Sequence, residues 1–173
     1  MGVMAGEVPA TSHLDAQLVK DAYFKDSYSA PLSHPRSSPV TLFFGLFGHN
    51  PWWVKALLIA RNKVAGWCGL EVPSFADIMS PEVKCRYVVG DKIGPWPIFA
   101  LTDSELIVGR DNPHLNFRLS ILKSPVDQTS RVFVSTICSI NHWSGKLYLF
   151  FIVPFHRWGV RRMITKAAAA GRL

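Results

Sequence analysis

The sequence predicts a single α+β domain in which a curved antiparallel sheet wraps around a long C-terminal helix. Three observations predict this fold. First, β-branched and aromatic segments joined by short turns follow one another between residues 96 and 141. Second, the C-terminal segment has helical periodicity. Third, a chain of 173 residues, 49% hydrophobic and 18% charged, can bury a core without disulfides or a metal.

The early part of the chain predicts a lead-in, a strand and a helix. Residues 1–20 are weakly patterned, so we expect a flexible N-terminal lead-in and a single domain over residues 21–173. Residues 26–32 are predicted to form a first strand. Ser38 and Pro39 suit the N-cap and first position of a helix over residues 40–47, which Gly48 ends. A similar signal at Asn50 and Pro51 predicts a second helix that ends near Gly66.

The rest of the chain predicts a sheet and its cover. Strands are expected at residues 96–101, 105–111, 115–124 and 131–141, and their short connectors indicate an antiparallel meander. A long helix over residues 146–170 follows. Its predicted inward stripe is Tyr148, Ile152, Phe155, Gly159 and Met163. Because a sheet with one apolar face needs a cover, this element order predicts the helix-grip fold, often with an apolar cavity between sheet and helix.

Several stretches of this sequence resemble the domain of unknown function 2867 family, an uncharacterised bacterial family. They are residues 91–94 (DKIG), 108–120 (VGRDNPHLNFRLS), 145–149 (GKLYL) and 154–157 (PFHR). Residues 23–32 and 51–58 also fit. The resemblance covers most of residues 20–170 and implies a START-like, polyketide-cyclase-like helix-grip protein. Asn112, Asn116 and the Trp158-Gly159 pair depart from the family pattern.

The positive charge is confined to one end of the chain. The net charge is +7, yet residues 1–127 hold 12 acidic and 12 basic residues, whereas residues 128–173 hold seven basic and no acidic ones. Much of this charge falls on one predicted face of the long helix: Arg157, Arg161, Arg162 and Lys166. Such a face is typical of a solvated helix side or of a contact with an anionic membrane or an acidic partner. Without a reading motif, no nucleic-acid partner is expected.

The remaining motifs exclude most common chemistries. The three cysteines have no CxxC spacing, the six histidines have no metal spacing, and there is neither a GxSxG elbow nor a phosphate-binding glycine loop. We therefore expect no cofactor and no metal. The N-terminus has no signal-peptide pattern and the longest apolar run has nine residues, so a cytoplasmic location is expected.

One polar cluster is predicted on a hairpin. With strands at 105–111 and 115–124, Asp111 and Arg118 share one face, near His114 at the turn. A carboxylate beside a histidine and an arginine can transfer protons or hold an anion, or it can simply be a cross-strand pair that stabilises the hairpin. The apolar face is expected to point to the cavity, which puts this cluster outside it. His156 on the long helix is a further candidate.

Three functions remain open. The first is the binding of a small apolar or aromatic ligand between sheet and helix. The second is a cyclase- or isomerase-like enzyme that uses His, Asp and Arg at that cavity. The third is docking on a membrane or an acidic partner through the basic helix face. Predicted ligand-lining residues are the aromatic side chains Trp96, Phe99, Phe117, Phe133, Phe151 and Phe155.

Overall fold

The structure is a seven-stranded antiparallel sheet with a long helix across one face. The computed structural model describes residues 2–49, 84–126 and 129–173, so the predicted second helix lies outside the described residues. The sheet is curved and open, with the strand order β1-β2-β7-β6-β5-β4-β3. The strands are β1 (Met4–Gly6), β2 (Phe24–Pro31), β3 (Lys92–Ile93), β4 (Trp96–Leu101), β5 (Glu105–Asp111), β6 (Leu115–Val126) and β7 (Thr129–Ile140).

Three helices accompany the sheet in the described part of the chain. They are α1 (Ala16–Lys20), α2 (Pro39–Phe47) and α3 (Trp143–Ala169). The predicted cap of α2 is confirmed, because the Ser38 hydroxyl accepts a hydrogen bond from the Thr41 amide and Gly48 ends the helix. The predicted α+β fold with a long C-terminal helix is also confirmed. Sequence and structure agree on the bounds of β4 and β5 and differ by a few residues for β2, α2, β6, β7 and α3, whereas β1, α1 and β3 were not predicted.

The two faces of the sheet have different covers. The inner face carries the main core and contacts α2 and the C-terminal half of α3, whose Ile164 and Ala167 are fully buried. The outer face carries a smaller cluster, in which Leu14 packs on Ile107 and Ile137. Successive residues of a strand point to opposite faces of the sheet. The register of β5 and β6 therefore confirms the prediction that Asp111 and Arg118 share one face of this hairpin.

The N-terminal segment is part of the folded structure. We expected a flexible lead-in at residues 1–20, and the structure places β1 and α1 in this range. The buried carboxylate of Glu105 on the outer face accepts hydrogen bonds from the Ser12 hydroxyl at 2.5 Å and the His13 amide at 2.6 Å. Ser120 also donates to it. Weak periodicity hid this segment, because strand pairing with β2, packing of Leu14 and hydrogen bonds to Glu105, all distant in the chain, attach it to the sheet.

The predicted inward stripe of α3 is partly correct, because Tyr148 and Met163 pack against buried clusters, but the buried stripe is shifted from it. Its buried residues are Gly145, Leu149, Ile164 and Ala167, whereas Phe155 is 74% exposed. The N-terminal half of α3 is apolar on all sides, so more than one stripe fits helical spacing, and packing decides between them. At Gly145 a β-carbon would lie 2.5 Å from the His114 carbonyl oxygen, so glycine permits the close approach of the helix start to the β5–β6 turn.

Candidate functional site

A group of polar side chains lies on the inner face, beneath the middle of α3. Asp26 and Thr136 are direct partners in the register of β2 and β7, and Tyr28 follows Asp26 on the same face. His156 approaches them from α3, with its Nε2 atom 3.5 Å from Asp26 Oδ1. We call these four residues the inner polar cluster. They bring together a carboxyl, a hydroxyl, a phenol and an imidazole where sheet and helix meet.

Most of the polar atoms of this cluster are buried without hydrogen bonds. Oγ1 of Thr136 has no hydrogen-bond partner among the described residues, and no contact there to the two Asp26 oxygens or to His156 Nε2 meets hydrogen-bond geometry, although the Tyr28 phenol lies near the carboxylate. The Asp26 side chain is only 10% exposed and that of His156 is 24% exposed. An unsatisfied buried polar group costs about 1–3 kcal/mol, and a charged one costs more. Such a concentration is unusual in a folded protein and is typical of functional sites.

The walls of the cluster are apolar and its rim is basic. Phe24, Cys138 and Leu149 form a small buried cluster next to it. The Phe24 ring meets the His156 ring edge-on, with 5.5 Å between centroids. Burial raises the pKa of the Tyr28 phenol, the negative charge of Asp26 raises it further, and the positive charges of Arg157 and Arg161 partly oppose this shift. The two arginines therefore act electrostatically on the site from the rim.

Sequence reasoning found only one member of this cluster, His156. Asp26 belongs to the alternating series Phe24, Asp26, Tyr28 and Ala30, whose other members are buried on the inner face. That period-two pattern was the available signal, since it places an acid among inward apolar residues. His156 likewise falls in the inward series of α3 between Leu149 and Ile164. The contact between Asp26 and His156 is not visible in the sequence, because 130 positions separate them and only tertiary packing joins them.

The predicted hairpin cluster is present but lies elsewhere and is not joined to His156. Asp111 and Arg118 form a two-pronged ion pair on the outer face, with Nη1–Oδ1 at 2.6 Å and Nη2–Oδ2 at 2.9 Å. The Arg118 guanidinium also lies 3.6 Å from the centroid of the Phe99 ring. This geometry matches the alternative considered from the sequence, a cross-strand pair that stabilises the hairpin.

His114 has a local structural contact at the start of α3. Its Nδ1 atom lies 2.7 Å from the Ser144 hydroxyl, and its carbonyl oxygen accepts hydrogen bonds from the amides of Asn141 and His142. His142 is the N-cap of α3. These contacts attach the helix start to the β5–β6 turn and separate His114 from the ion pair.

The predicted ligand-lining aromatics divide into three groups. Trp96 and Phe117 face inward, but Trp96 packs in an aromatic cluster with Phe43 and Phe47 of α2. Phe117 also contacts the apolar wall beside the inner polar cluster.

The other four aromatics do not line the space between sheet and helix, which corrects our expectation. Phe99 and Phe133 fall on the outer face, Phe99 because of a β-bulge between Ile98 and Ala100 and Phe133 by strand parity. Phe151 and Phe155 point to solvent from α3, where they are 60% and 74% exposed.

A pocket of about 200 Å³ lies on the outer face between α1 and the sheet, and its lining includes His13, Phe99 and Arg118. Its charged groups already have partners, since Arg118 pairs with Asp111 and the His13 Nδ1 atom lies 2.8 Å from Glu105. The inner polar cluster, whose polar atoms are unsatisfied, is therefore the stronger candidate site. Within the described ranges, no group of three His, Cys, Asp or Glu residues is placed to hold a metal ion.

Comparison with known proteins identifies the family of this chain. Residues 18–163 match the family described as Protein of unknown function (DUF2867). A comparison with curated proteins finds no match. None of the helices among the described residues is long and apolar enough to cross a bilayer. Since the matched residues form most of the chain and include Asp26, Thr136 and His156, the protein belongs to the DUF2867 family, as the sequence motifs indicated.

Proposed function

We propose that this protein binds a small, largely apolar molecule between the inner face of the sheet and α3, with the polar group of that molecule at Asp26 and His156. The observation that carries the proposal is the set of buried polar atoms without hydrogen bonds at one point of an otherwise apolar interface. An interior of this kind is typical of ligand sites, which combine apolar walls with a few convergent polar groups.

The chemistry of the cluster narrows the class of ligand. An ionised Asp26 only accepts hydrogen bonds, so the bound molecule is expected to carry a hydroxyl or amide donor. The Phe24 ring and the Leu149 side chain favour an apolar or aromatic body for the rest of the molecule. Arg157 and Arg161 at the rim favour an anionic group at its outer end.

Native mass spectrometry of the purified protein tests the proposal. We expect a species heavier than the 19.3 kDa chain, which loses the added mass on denaturation. The Asp26→Asn and Thr136→Val variants should carry less of it, because each removes an acceptor or donor from the cluster. Asp111→Asn is the matched control, since it changes a carboxylate on the outer face and should leave occupancy unchanged.

Two results would refute binding at this site. One is a wild-type protein that carries no small molecule in native spectra or in organic extracts. The other is an occupancy that Asp26→Asn and Thr136→Val leave equal to that of the Asp111→Asn control. Circular dichroism of each variant confirms that a loss of ligand does not reflect unfolding.

The separation of 3.5 Å between Asp26 and His156 supports a second candidate, proton transfer of the isomerase or cyclase type. A carboxylate and an imidazole held together away from water are suited to general acid–base catalysis. In D₂O, the co-purified molecule should then gain deuterium at carbon, and the gain should disappear in Asp26→Asn and His156→Gln. If the molecule gains no deuterium at carbon in the wild type, catalysis is excluded and binding stands alone.

A further inference from the structure

The outward side of α3 carries an apolar patch that the sheet does not cover. The patch consists of six residues that are all about half exposed or more: Trp143 (67%), Leu147 (49%), Phe150 (72%), Phe151 (60%), Phe155 (74%) and Trp158 (57%). Apart from the adjacent Phe150 and Phe151, their spacing is three or four residues, which puts them along one side of the helix. Isolated exposed apolar residues are ordinary, but a continuous row of five aromatic rings and a leucine indicates an interaction surface.

A basic cluster continues this surface toward the C-terminus. Arg157, Arg161, Arg162 and Lys166 are all exposed. None of the four forms an ion pair with an acidic residue in the part of the chain that the structure describes. The Arg162 guanidinium lies 5.3 Å from the centroid of the Trp158 ring, so the two groups meet at the boundary between patch and cluster. Residues 128–173 contain no acidic residue that could neutralise this charge.

We propose that the apolar patch and the basic cluster together dock α3 on the surface of an anionic lipid bilayer. Tryptophan and phenylalanine enter the boundary between headgroups and acyl chains, while arginine and lysine attract anionic headgroups. Charge complementarity favours a lipid surface over a second copy of the chain, since a second copy would bring the same positive charge. This proposal concerns the outward side of α3. Arg157 and Arg161 also act on the inner polar cluster, but lipid docking does not depend on a ligand there.

Vesicle co-sedimentation tests the proposal. The wild-type protein is expected to sediment with vesicles of phosphatidylcholine and phosphatidylglycerol and to remain in solution with phosphatidylcholine alone. Rising salt should weaken the binding, because screening reduces attraction between exposed charges. The Arg161→Gln, Arg162→Gln double variant should reduce the partition coefficient about tenfold or more, since each basic residue near the surface contributes substantially. The Phe150→Ser, Phe151→Ser double variant should also reduce it.

Matched controls separate this surface from general charge and hydrophobicity. Val88 and Val89 are 53% and 59% exposed, and Arg36 and Arg86 are exposed, all of them outside α3. The Val88→Ser, Val89→Ser and Arg36→Gln, Arg86→Gln double variants should therefore bind as the wild type does. Equal binding of all four double variants would overturn the proposal.

Tryptophan fluorescence provides an independent measurement. Brominated lipid should quench the wild-type emission, and the quenching should fall in the Trp143→Phe, Trp158→Phe variant. Analytical ultracentrifugation tests the alternative that a second copy of the chain binds this surface. Dimers that dissociate in the Phe150→Ser, Phe151→Ser variant, with no binding of the wild type to anionic vesicles, would assign the surface to a second copy and refute lipid docking.

Discussion

At the scale of single residues, neighbouring hydroxyls on β7 have opposite situations. Thr136 faces inward, and its Oγ1 atom is buried without a partner among the described residues. Ser135 faces outward, and its hydroxyl lies 2.8 Å from that of Ser27 in the paired strand. The strand therefore places a hydrogen-bonded hydroxyl next to one without a partner among the described residues. Substitutions at the two positions can show how much stability the second hydroxyl costs.

Substitution of these two residues should change stability in opposite directions. Thr136→Val removes an unsatisfied hydroxyl at nearly constant volume, so we expect the free energy of unfolding to rise by about 1 kcal/mol. Ser135→Ala leaves the buried Ser27 hydroxyl unpaired and should lower it by about 1 kcal/mol. Urea unfolding of the ligand-free proteins measures both. Functional sites often lower the stability of a protein. A Thr136→Val variant that is less stable than the wild type would argue that the Thr136 hydroxyl does not lower stability here.

Glu105 is the second residue whose environment makes a prediction. Burial raises the pKa of its carboxyl, but hydrogen bonds from Ser12, Ser120 and His13 outweigh that effect and lower it below the usual value of 4.5. Because the pKa is lower in the folded state, the stabilisation is fully present above about pH 4.5 and is lost as the pH falls through the folded-state value.

The Glu105→Gln variant should show this dependence directly. At neutral pH we expect it to unfold with a free energy about 1–3 kcal/mol lower than the wild type, because charge-assisted hydrogen bonds are lost. The difference should shrink as the pH is lowered below about 4.5. Urea titrations across the acid range measure it. A difference that is independent of pH would show that packing, and not ionisation, is responsible.

At the scale of elements, successive parts of α3 have different surroundings. Its first turn lies against the β5–β6 turn, and its middle brings His156 to Asp26. Its exposed side carries the apolar patch and then the basic cluster. Pro154 lies within the continuous helix and has no amide hydrogen, so the carbonyl of Phe150 has no helical donor. One helix thus supplies a side chain to the candidate site and a separate outward surface.

Two glycines of α3 should respond in opposite ways to the same substitution. Gly159→Ala should raise the free energy of unfolding by about 0.5–1 kcal/mol, since alanine favours helix and no described atom lies within 4 Å of the new β-carbon. Gly145→Ala should lower it, because the new β-carbon would lie 2.5 Å from the His114 carbonyl oxygen. Thermal unfolding of both variants tests this packing. Equal shifts would mean that the helix start does not depend on the close approach.

At the scale of the whole molecule, the sheet is covered on both faces. Helices α2 and α3 cover the inner face, and the N-terminal segment covers part of the outer face through Leu14, Ile107 and Ile137. The excess positive charge lies in the C-terminal quarter of the chain, which includes the exposed side of α3.

Removal of residues 2–20 should therefore cost stability. The truncation exposes Ile107 and Ile137 and removes the partners of Glu105, so we expect the free energy of unfolding to fall by about 3 kcal/mol or more. Chemical unfolding of the truncated chain measures the loss. A truncated protein as stable as the wild type would restore the expectation of a flexible lead-in. A chain that does not accumulate in folded form would agree with the structure.

Sequence reasoning alone predicted the elements that local chemistry specifies. Ser38, Pro39 and Gly48 define α2, short turns define the β4–β7 meander, and strand parity places Asp111 and Arg118 on the face away from α3. These features depend on neighbours in the chain, so a single sequence contains them. The family followed from contiguous motifs for the same reason.

The candidate site and the two sides of α3 depend on tertiary packing. The apolar half of α3 fits several stripes, and packing chose the one that turns His156 inward and Phe155 outward. Asp26 and His156 meet because β2 pairs with β7 and α3 crosses them, a contact with no local signature. The N-terminal segment is held by the pairing of β1 with β2, by the packing of Leu14 on the outer face and by hydrogen bonds to Glu105. Contacts between distant positions depend on the whole fold, which is why the residues that the sequence singled out on the hairpin stabilise the structure while the unsatisfied polar atoms lie elsewhere.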